Sequence, residues 1–248
     1  MDLPQVTLCA VTSVNLEATV QALKISMAHV DFGAVKLFTD AEVTLDDDRI
    51  VVVPIPALRS SAAYSRFLLA NLPDHIGTSH CLIAQWDGYV ANPERWHQEF
   101  LKYDYIGASW PQFDDGHDVG NGGFSMRSRR LMELCRHEAF RAHHPEDVAI
   151  CRTNRAWLEA NAVRFAPKAL ADRFSAERTG DIRTCFGFHG AWNMPAAIGA
   201  DAFWSIYETL DDRGTIWHDF GLIVRDILGG PKGLRRALRM LADRICRR

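Results

Sequence analysis

The chain has 248 residues, of which 48% are apolar and 24% charged, and its formal net charge is −3. This apolar content excludes a disordered chain, and no apolar run approaches the roughly 18 residues of a membrane-spanning helix. The length favours one sizeable domain over two small ones. Residues 1–4 contain no basic stretch before an apolar segment, so we expect no secretory signal and a cytoplasmic protein.

Charge is unevenly distributed along the chain. Residues 232–248 contain seven basic residues and one acid, which leaves a net charge of −9 for residues 1–231. A body this acidic is not expected to bind nucleic acid over a broad face. The six cysteines lack the two-residue spacing of zinc or redox sites, so we interpret them as reduced packing residues.

Strands and helices alternate in the first hundred residues. Apolar, β-branched runs predict strands at 6–11, 34–39, 50–53 and 80–84. Asn15 is predicted to cap a helix that starts at Leu16, and a second helix is predicted over 60–72. This alternation predicts an α/β fold with a mostly parallel central sheet flanked by helices, as one domain over 1–228 followed by a helix within 229–248.

Ligands of such sheets bind at the carboxyl ends of the strands. Thr12 and Ser13 follow the first predicted strand, Asp40 the second, and the segment 85–88 the fourth. In that segment Asp87 precedes Gly88, which is typical of a tight turn but also of a fixed carboxylate that can bind Mg²⁺ or Mn²⁺. Taken alone, the segment does not decide between turn and ligand.

Three glycines surround Asn121 in the segment 120–123, ahead of a predicted helix at 129–135. Glycines allow the backbone to approach a ligand closely, and the side chains of Asn121 and Ser125 can bind sugar hydroxyls. A tight loop at the end of a strand would use the same residues.

The segment 144–148 has the sequence HPEDV. Proline and two acids are typical of the first turn of a helix. Alternatively, Glu146 or Asp147 faces a cleft as a general base whose pKa is raised by burial or by the neighbouring acid.

His189 lies in the aromatic and glycine-rich segment 185–193. A lone histidine is more often a structural group than a metal ligand, yet the nearby glycines indicate that something approaches it closely. We therefore consider His189 a second candidate metal ligand. The other histidines of interest, His97, His143 and His144, are predicted to lie on the surface.

The C-terminal segment is predicted to form a basic amphipathic helix. Its apolar residues recur every three or four positions, at Leu234, Leu238, Leu241 and Ile245, among seven basic residues: Lys232, Arg235, Arg236, Arg239, Arg244, Arg247 and Arg248. Such a helix can lie on an anionic membrane, or it can pack its apolar stripe on the body or on another subunit.

Taken in order, several segments resemble an uncharacterised domain family whose pattern is similar to that of GT-A glycosyltransferases. They are QWDG at 85–88, DYIGASW at 104–110, GNGGFSMRS at 120–128, PEDVAICR at 145–152, FAP with RFS within 165–175, and FGFHGAWN at 186–193. The resemblance covers roughly residues 5–195 and implies a GT-A-like, Rossmann-like fold.

The resemblance also implies roles for particular residues. Asp87 and His189 would hold Mn²⁺ or Mg²⁺ on the donor diphosphate, although Gln85 stands where the family pattern has an acid. Asp147 would be the catalytic base, and Glu146 an acceptor contact or substitute base. The donor pocket would be formed by Thr12, Ser13, Tyr64, Arg66, Gln85, Trp86, Asn121, Gly122 and Gly123.

The expected function is transfer of a sugar from a nucleotide-sugar donor to a glycan or lipid-linked acceptor, with inversion, in polysaccharide biosynthesis. Residues 232–248 could then hold the enzyme on the inner face of the membrane. A non-catalytic nucleotide- or sugar-binding domain is the alternative, which Gln85 would allow. A phosphoryl or nucleotidyl transferase is disfavoured because the chain has no glycine-rich phosphate loop ending in Lys-Ser/Thr.

Overall fold

The computed structural model describes residues 1–246. Its strands are β1 (Asp2–Val11), β2 (Asp31–Thr39), β3 (Ile50–Pro54), β4 (His80–Ala84), β5 (Tyr105–Ile106), β6 (Ser125–Ser128), β7 (Ser175–Ala176) and β8 (Gly187–Phe188). Its α-helices are α1 (Leu16–Met27), α2 (Ser61–Arg66), α3 (Arg129–Leu134), α4 (Glu146–Val148), α5 (Arg155–Ala160), α6 (Lys168–Phe174), α7 (Met194–Ile198), α8 (Ala200–Thr209), α9 (Phe220–Leu228) and α10 (Gly233–Ile245).

The central sheet has six strands in the order β3-β2-β1-β4-β6-β5. The first four are parallel, whereas β6 runs antiparallel to both β4 and β5. The predicted α/β class with a mostly parallel sheet in a single domain is therefore confirmed. In the parallel part, β1 and β4 lie side by side and end at the same edge, so the segments that follow them are brought together.

Side chains alternate between the two faces of the sheet along each strand, and each face packs into its own hydrophobic core. On β1, Leu8 packs into the same core as Leu23 of α1, whereas Cys9 faces the opposite core with Phe67. Phe67 lies in the stretch predicted as a helix over 60–72. In the structure this helical stretch runs on to residue 75 and consists of α2, a π-helical turn over 67–71 and a 3₁₀ turn over 72–75.

Asn15 precedes α1 as predicted, but its side chain does not cap the helix. Its Oδ1 accepts a hydrogen bond from the Asp212 backbone N–H at 2.8 Å, and its Nδ2 donates to the Asp212 carbonyl at 2.7 Å. The predicted side-chain cap was therefore wrong, because both ends of the amide are used to hold the segment after α8 against the end of β1.

The C-terminal helix packs on the body through an unexpected face. Ala237 and Met240 of α10 are buried, and Met240 shares a core with Phe203 of α8 and Ile223 of α9. The leucine stripe faces outward, with exposed fractions of 69% at Leu234, 57% at Leu238, 42% at Leu241 and 82% at Ile245. Packing of this stripe on the body is therefore excluded. Arg247 and Arg248 lie outside the described residues.

None of the helices within residues 1–246 combines the length and apolarity needed to cross a bilayer. All six cysteines are free thiols, five of them buried, and Cys246 is exposed.

The orientation of α10 predicts a large loss of stability for one substitution and almost none for another two positions away. Met240→Ala should lower the free energy of unfolding by about 2–5 kcal/mol because it leaves a cavity in the core. Leu238→Ala should change it by less than about 0.5 kcal/mol because the side chain is in solvent. Urea unfolding of both variants measures this difference, and a larger loss at Leu238 would show that the leucine stripe is the packed face.

Candidate active site

A cavity of about 390 Å³ opens at the edge where β1 and β4 end. Its walls come from six parts of the chain: the segment after β1 with the first turn of α1, the segment that leads into α2 with the start of that helix, the turn after β4, the glycine-rich loop, the start of α4, and the segment around β7 and β8. The lining residues are Val11, Thr12, Ser13, Val14, Thr19, Leu58, Ser60, Ser61, Tyr64, Ser65, Gln85, Trp86, Asn121, Gly122, Gly123, His144, Pro145, Glu146, Asp147, Glu177 and His189.

All but two of the predicted site residues line this cavity. Arg66 does not, because it is exposed and lies two positions beyond Tyr64, about 200° around the helix. The predicted donor contact of Arg66 is therefore corrected. Asp87 lies just behind the wall, buried next to His189. Asp40 is exposed and takes no part in the cavity.

Asp87, His189 and Glu177 form a chain of charged groups. His189 Nδ1 lies 3.0 Å from Glu177 Oε1, and because a carboxylate can only accept, Nδ1 carries the proton. His189 Nε2 then points toward Asp87 Oδ1 at 3.7 Å. Asp87 Oδ1 is buried and has no hydrogen-bond partner among residues 1–246.

Burial raises the pKa of Asp87, and the nearby His189 opposes this rise. Burial alone would lower the pKa of His189, but the carboxylates of Asp87 and Glu177 outweigh it and raise that pKa to about 9. An ionised carboxylate that is buried alone is costly, so a cation beside Asp87 stabilises its charged form. The imidazolium of His189 can supply that charge, and a metal ion bound to the neutral imidazole could supply it instead.

Gln85 connects this chain to α2. Its Nε2 donates to the Tyr64 hydroxyl at 2.8 Å, and its Oε1 lies 3.3 Å from His189 Nε2. Gln85 and Gly88 also exchange two backbone hydrogen bonds, of 2.9 and 3.0 Å, which close a tight turn around Asp87. The segment 85–88 is thus a turn, and the same turn fixes the Asp87 carboxylate beside His189.

Glu146 is held by the protein through both carboxylate oxygens. Oε1 accepts from the fully buried Arg127 at 3.0 Å, and Oε2 accepts from the Ser65 hydroxyl at 2.9 Å. Since that hydroxyl gives its proton to Glu146, it accepts from His144 Nδ1 at 2.9 Å. His144 was predicted to be a surface residue, but this hydrogen bond holds its ring, though exposed, against the cavity wall.

Among residues 1–246, only backbone N–H groups bind the Asp147 carboxylate. Oδ2 accepts from Gly122 at 3.2 Å, and Oδ1 accepts from Val148 at 2.8 Å. Burial and the adjacent Glu146 raise the pKa of Asp147. The segment HPEDV also begins α4, so the helix start and the cavity wall are the same residues.

The glycine-rich loop passes between two of these groups. A Cβ at Gly122 would lie 2.2 Å from Glu146 Oε1, and one at Gly123 would lie 2.1 Å from His189 Nε2. The glycines near His189 in sequence have other neighbours, because Gly187 packs on Phe124 and Gly190 on Trp192. The close approaches expected from these glycines are therefore made, in the structure, by the chain's own side chains.

Asn121 contributes an unused hydrogen-bond donor. Its Oδ1 accepts from the Gly123 N–H at 2.8 Å, which fixes the amide orientation. Its Nδ2 is buried and has no partner within residues 1–246. One unused donor on Asn121 and one unused acceptor on Asp87 are thus found in and beside the same cavity, which is the arrangement expected of a polar binding site.

Several important residues were not identified from the sequence. Glu177 orients His189, Arg127 neutralises Glu146, and Ser65 links α2 to α4. For His144 the sequence did offer a signal of a place in the site, because it directly precedes the candidate segment Pro145–Asp147. The pairing of Glu177 with His189 follows from the β7–β8 contact, for which the sequence offers no periodic pattern.

A family model described as "Protein of unknown function (DUF5672)" matches residues 48–189. The chain belongs to this family. Its matched range contains every candidate site residue except Thr12 and Ser13, and it ends at His189. Membership of an uncharacterised domain family, which the ordered motifs predicted, is confirmed. No curated protein sequence matches the chain significantly.

Three solved structures are similar to this DUF5672 chain at low identity. One is a glycosyltransferase involved in glycosylation of the major capsid of PBCV-1, with 11% identity, 82% of this chain and 98% of that chain covered, and a TM-score of 0.46. The mannosyltransferase PcManGT from Pyrobaculum calidifontis, in complex with GDP-Man and Mn²⁺, has 13% identity, coverage of 98% and 77%, and a TM-score of 0.49. The apo-form glycosyltransferase GlyE of Streptococcus pneumoniae TIGR4 has 11% identity, coverage of 86% and 62%, and a TM-score of 0.46.

The buried ion pair behind the cavity predicts a strong effect on stability. Arg127→Met should lower the free energy of unfolding by about 3–5 kcal/mol because it leaves the Glu146 carboxylate buried and unpaired. The double variant Arg127→Met/Glu146→Leu should recover most of that loss because no charge then remains. Urea unfolding at neutral pH measures both.

The matched control is Arg49→Met, which breaks an exposed pair with Asp47 and should cost less than about 1 kcal/mol. Equal losses for the Arg127 and Arg49 variants would show that Glu146 does not depend on Arg127.

Proposed function

We propose that this DUF5672 chain is a glycosyltransferase that moves a sugar from a nucleotide-diphosphate donor to a hydroxyl acceptor, with a divalent cation and inversion. The observation that carries the proposal is one cavity that combines the accessible carboxylate of Asp147 with the buried Asp87–His189 pair. Glycosyl transfer needs a base at the acceptor hydroxyl and positive charge at the departing diphosphate.

Asp147 is a better base than Glu146. Both oxygens of Glu146 are bound to side chains, one to the Arg127 guanidinium and the other to the Ser65 hydroxyl, so neither is free to accept from an acceptor hydroxyl. Within residues 1–246, Asp147 accepts only from backbone N–H groups, and its raised pKa makes it a stronger proton acceptor than an ordinary aspartate. We therefore assign proton acceptance to Asp147, and to Glu146 the fixing of the start of α4.

The charge of the cavity supports a divalent cation. Among residues 1–246, no lysine or arginine lines it, whereas Glu146, Asp147 and Glu177 do, with Asp87 behind them. A diphosphate would be repelled by this set without a cation of higher charge. The unpartnered Asp87 Oδ1 and the Nε2 of His189 are oxygen and nitrogen donors suited to Mn²⁺ or Mg²⁺.

Glu177 would act as the outer partner of this site, because a carboxylate on Nδ1 orients a metal-binding imidazole and raises its basicity. No group of three or more His, Cys, Asp or Glu side chains in the described part of the chain forms a complete metal cage. The donor diphosphate would therefore supply further oxygen ligands, which ties cation binding to donor binding. When bound, the cation supplies neutralisation of the leaving diphosphate.

The remaining polar groups would bind the donor. The unused Nδ2 of Asn121 can donate to a sugar hydroxyl, and the Thr12 and Ser13 side chains lie at the end of β1. Trp86 and Tyr64 offer aromatic surface for a base or a sugar ring.

The proposed reaction is a single displacement. The acceptor oxygen bonds to the anomeric carbon while the bond from that carbon to the diphosphate oxygen breaks. Asp147 takes the hydroxyl proton, and the nucleotide diphosphate leaves with the bonding electron pair. Because the two bonds lie on opposite faces of the sugar, the anomeric configuration inverts.

A nucleotide- or sugar-binding domain without turnover is the second candidate. The Gln85 amide favours it, because it is bound to Tyr64 at the position where the family pattern has an acid. The two candidates share donor binding and differ only in turnover.

Removal of Asp87 should abolish cation-dependent binding. With MnCl₂ and a panel of UDP, GDP and ADP, the wild type should gain about 5 °C or more in melting temperature for the matching nucleotide near saturation. Asp87→Ala should lose that gain because the cation then lacks its oxygen ligand. The control Asp40→Ala removes an exposed acid at the end of β2 and should respond like the wild type. Equal stabilisation of Asp87→Ala would contradict the metal assignment.

Asp147→Asn should separate binding from turnover. Donor hydrolysis with Mn²⁺ should fall by about 10²–10⁴-fold because Asn cannot take a proton, while the nucleotide-dependent melting shift persists. The variant should remain folded with a stability close to that of the wild type, because the loss of one backbone hydrogen bond is offset by removal of a carboxylate whose ionised form is disfavoured by burial.

The pH profile gives a further check. Since the base must be ionised and its pKa is raised, kcat/KM of the wild type should decline as pH falls, with a midpoint above the ordinary value of 3.8. The control is Glu133→Gln, which removes an exposed carboxylate and should leave the pH profile of kcat/KM unchanged. No hydrolysis by the wild type with any donor, despite nucleotide binding, would favour the non-catalytic candidate.

A further inference from the structure

We propose that α10 docks on an anionic lipid bilayer through its outward leucine stripe. The stripe consists of Leu234, Leu238, Leu241 and Ile245, all exposed. These positions lie within about 60° of one another around the helix, and the buried Met240 lies about 130° from their centre. An apolar stripe of this width that points away from its own body can insert at the boundary between headgroups and acyl chains.

The orientation of α10 is fixed by polar groups on its inner face, so the stripe is not a packing face that lost its partner. Arg236 is buried and pairs with Asp201 of α8 at 2.6 Å. Asp243 is buried, accepts from the Tyr207 hydroxyl at 3.0 Å, and pairs with Arg239 at 3.0 Å. Turning the stripe inward would break these contacts and expose Met240.

The charge beside the stripe selects the occupant. Arg235 and Arg239 flank it on one side and Arg244 on the other, and all three are exposed. A second cavity, of about 480 Å³, lies between α8 and α10 and is lined by Trp204, Ser205, Glu208, Lys232, Arg235, Arg236 and Arg239. Arg236 and Arg239 are already paired with Asp201 and Asp243. Lys232 and Arg235 therefore remain to bind the phosphate of a lipid headgroup.

A second copy of the chain is a poor occupant of the same surface. In a symmetric dimer the stripe would face itself, and the arginines on its two sides would then lie close to their own copies. An anionic bilayer can bind both the apolar stripe and the arginines beside it, since it has an apolar interior and a negative surface. The acidic remainder, with a net charge of −9 over residues 1–231, would in turn orient the molecule with α10 toward that surface.

Vesicle co-sedimentation of the full chain tests the proposal. The wild type should sediment with phosphatidylcholine vesicles that contain about 35 mol% phosphatidylglycerol, and only weakly with vesicles of phosphatidylcholine alone. Leu238→Ser should weaken binding by about tenfold because it removes inserted apolar surface. Arg235→Glu should weaken it by at least about fivefold, because each cation near the surface contributes about that factor, and the loss should shrink at high salt.

Matched controls lie far from α10 in the fold. Val51→Ser removes an exposed apolar side chain on β3, and Lys102→Glu reverses an exposed charge ahead of β5. Both should bind vesicles like the wild type. Because the readout is sedimentation, the outcome does not depend on whether the chain is a glycosyltransferase.

Three outcomes would overturn the proposal. The first is no binding to anionic vesicles. The second is equal loss in the controls and in Leu238→Ser. The third is a dimer in light scattering that Leu238→Ser dissociates, without vesicle binding by either protein, since a second copy would then cover the stripe.

Discussion

The cavity depends on the close approach of two glycines to two charged side chains. Gly122 passes against Glu146 and Gly123 against His189, at separations that no Cβ could occupy. Because Glu146 begins α4 and His189 follows β8, this loop brings distant parts of the chain to the edge of the sheet. A side chain at either glycine would push its neighbour away, and the carboxylate of Asp147, which is bound to the Gly122 N–H, would move with it.

The second constraint is electrostatic. The site gathers Asp87, Glu146, Asp147 and Glu177, and the protein satisfies only part of this negative charge. Arg127 neutralises Glu146 from behind, and His189 lies between Asp87 and Glu177. Burial and the adjacent Glu146 raise the pKa of Asp147, and no cation lies within hydrogen-bonding distance of it among residues 1–246 to oppose that rise. Under the proposed function, the same shortage of cations is the reason to expect a metal ion beside an anionic donor.

Local patterns determined much of what could be predicted. The strands β1 and β4 are short apolar runs, and the residues that follow them reach the same edge by the geometry of a parallel sheet. The sequence therefore predicted that Thr12, Ser13 and Asp87 lie near one another, and the structure places Thr12 and Ser13 on the cavity wall and Asp87 just behind it. The pairing of Tyr105–Ile106 with β6 could not be predicted, because a two-residue strand has no periodicity of its own. Glu177 and Arg127 were not identified either. Their partners His189 and Glu146 lie 12 and 19 positions away, beyond the reach of any local periodicity.

The C-terminal helix illustrates a different limit. Hydrophobic periodicity identifies the leucine stripe as the obvious packing face, yet α10 buries the opposite side, where Arg236 and Asp243 lie. A buried charge is tolerated only when it is paired, and the partners Asp201 and Tyr207 are on α8, more than one helix away. The choice of face therefore depended on tertiary partners that periodicity does not register.

The helical layer that carries α10 is also connected to the cavity. Asn15, directly after the cavity wall formed by Thr12–Val14, bonds through its side chain to Asp212, in the segment that follows α8. The α8 helix in turn pairs with α10 through Asp201 and Arg236. A bilayer that holds α10 would thereby hold the wall of the cavity at a defined position, through packed helices and two amide hydrogen bonds. For a transferase with a lipid-linked acceptor, such a connection would keep the cavity at a constant distance from the membrane in which that acceptor lies.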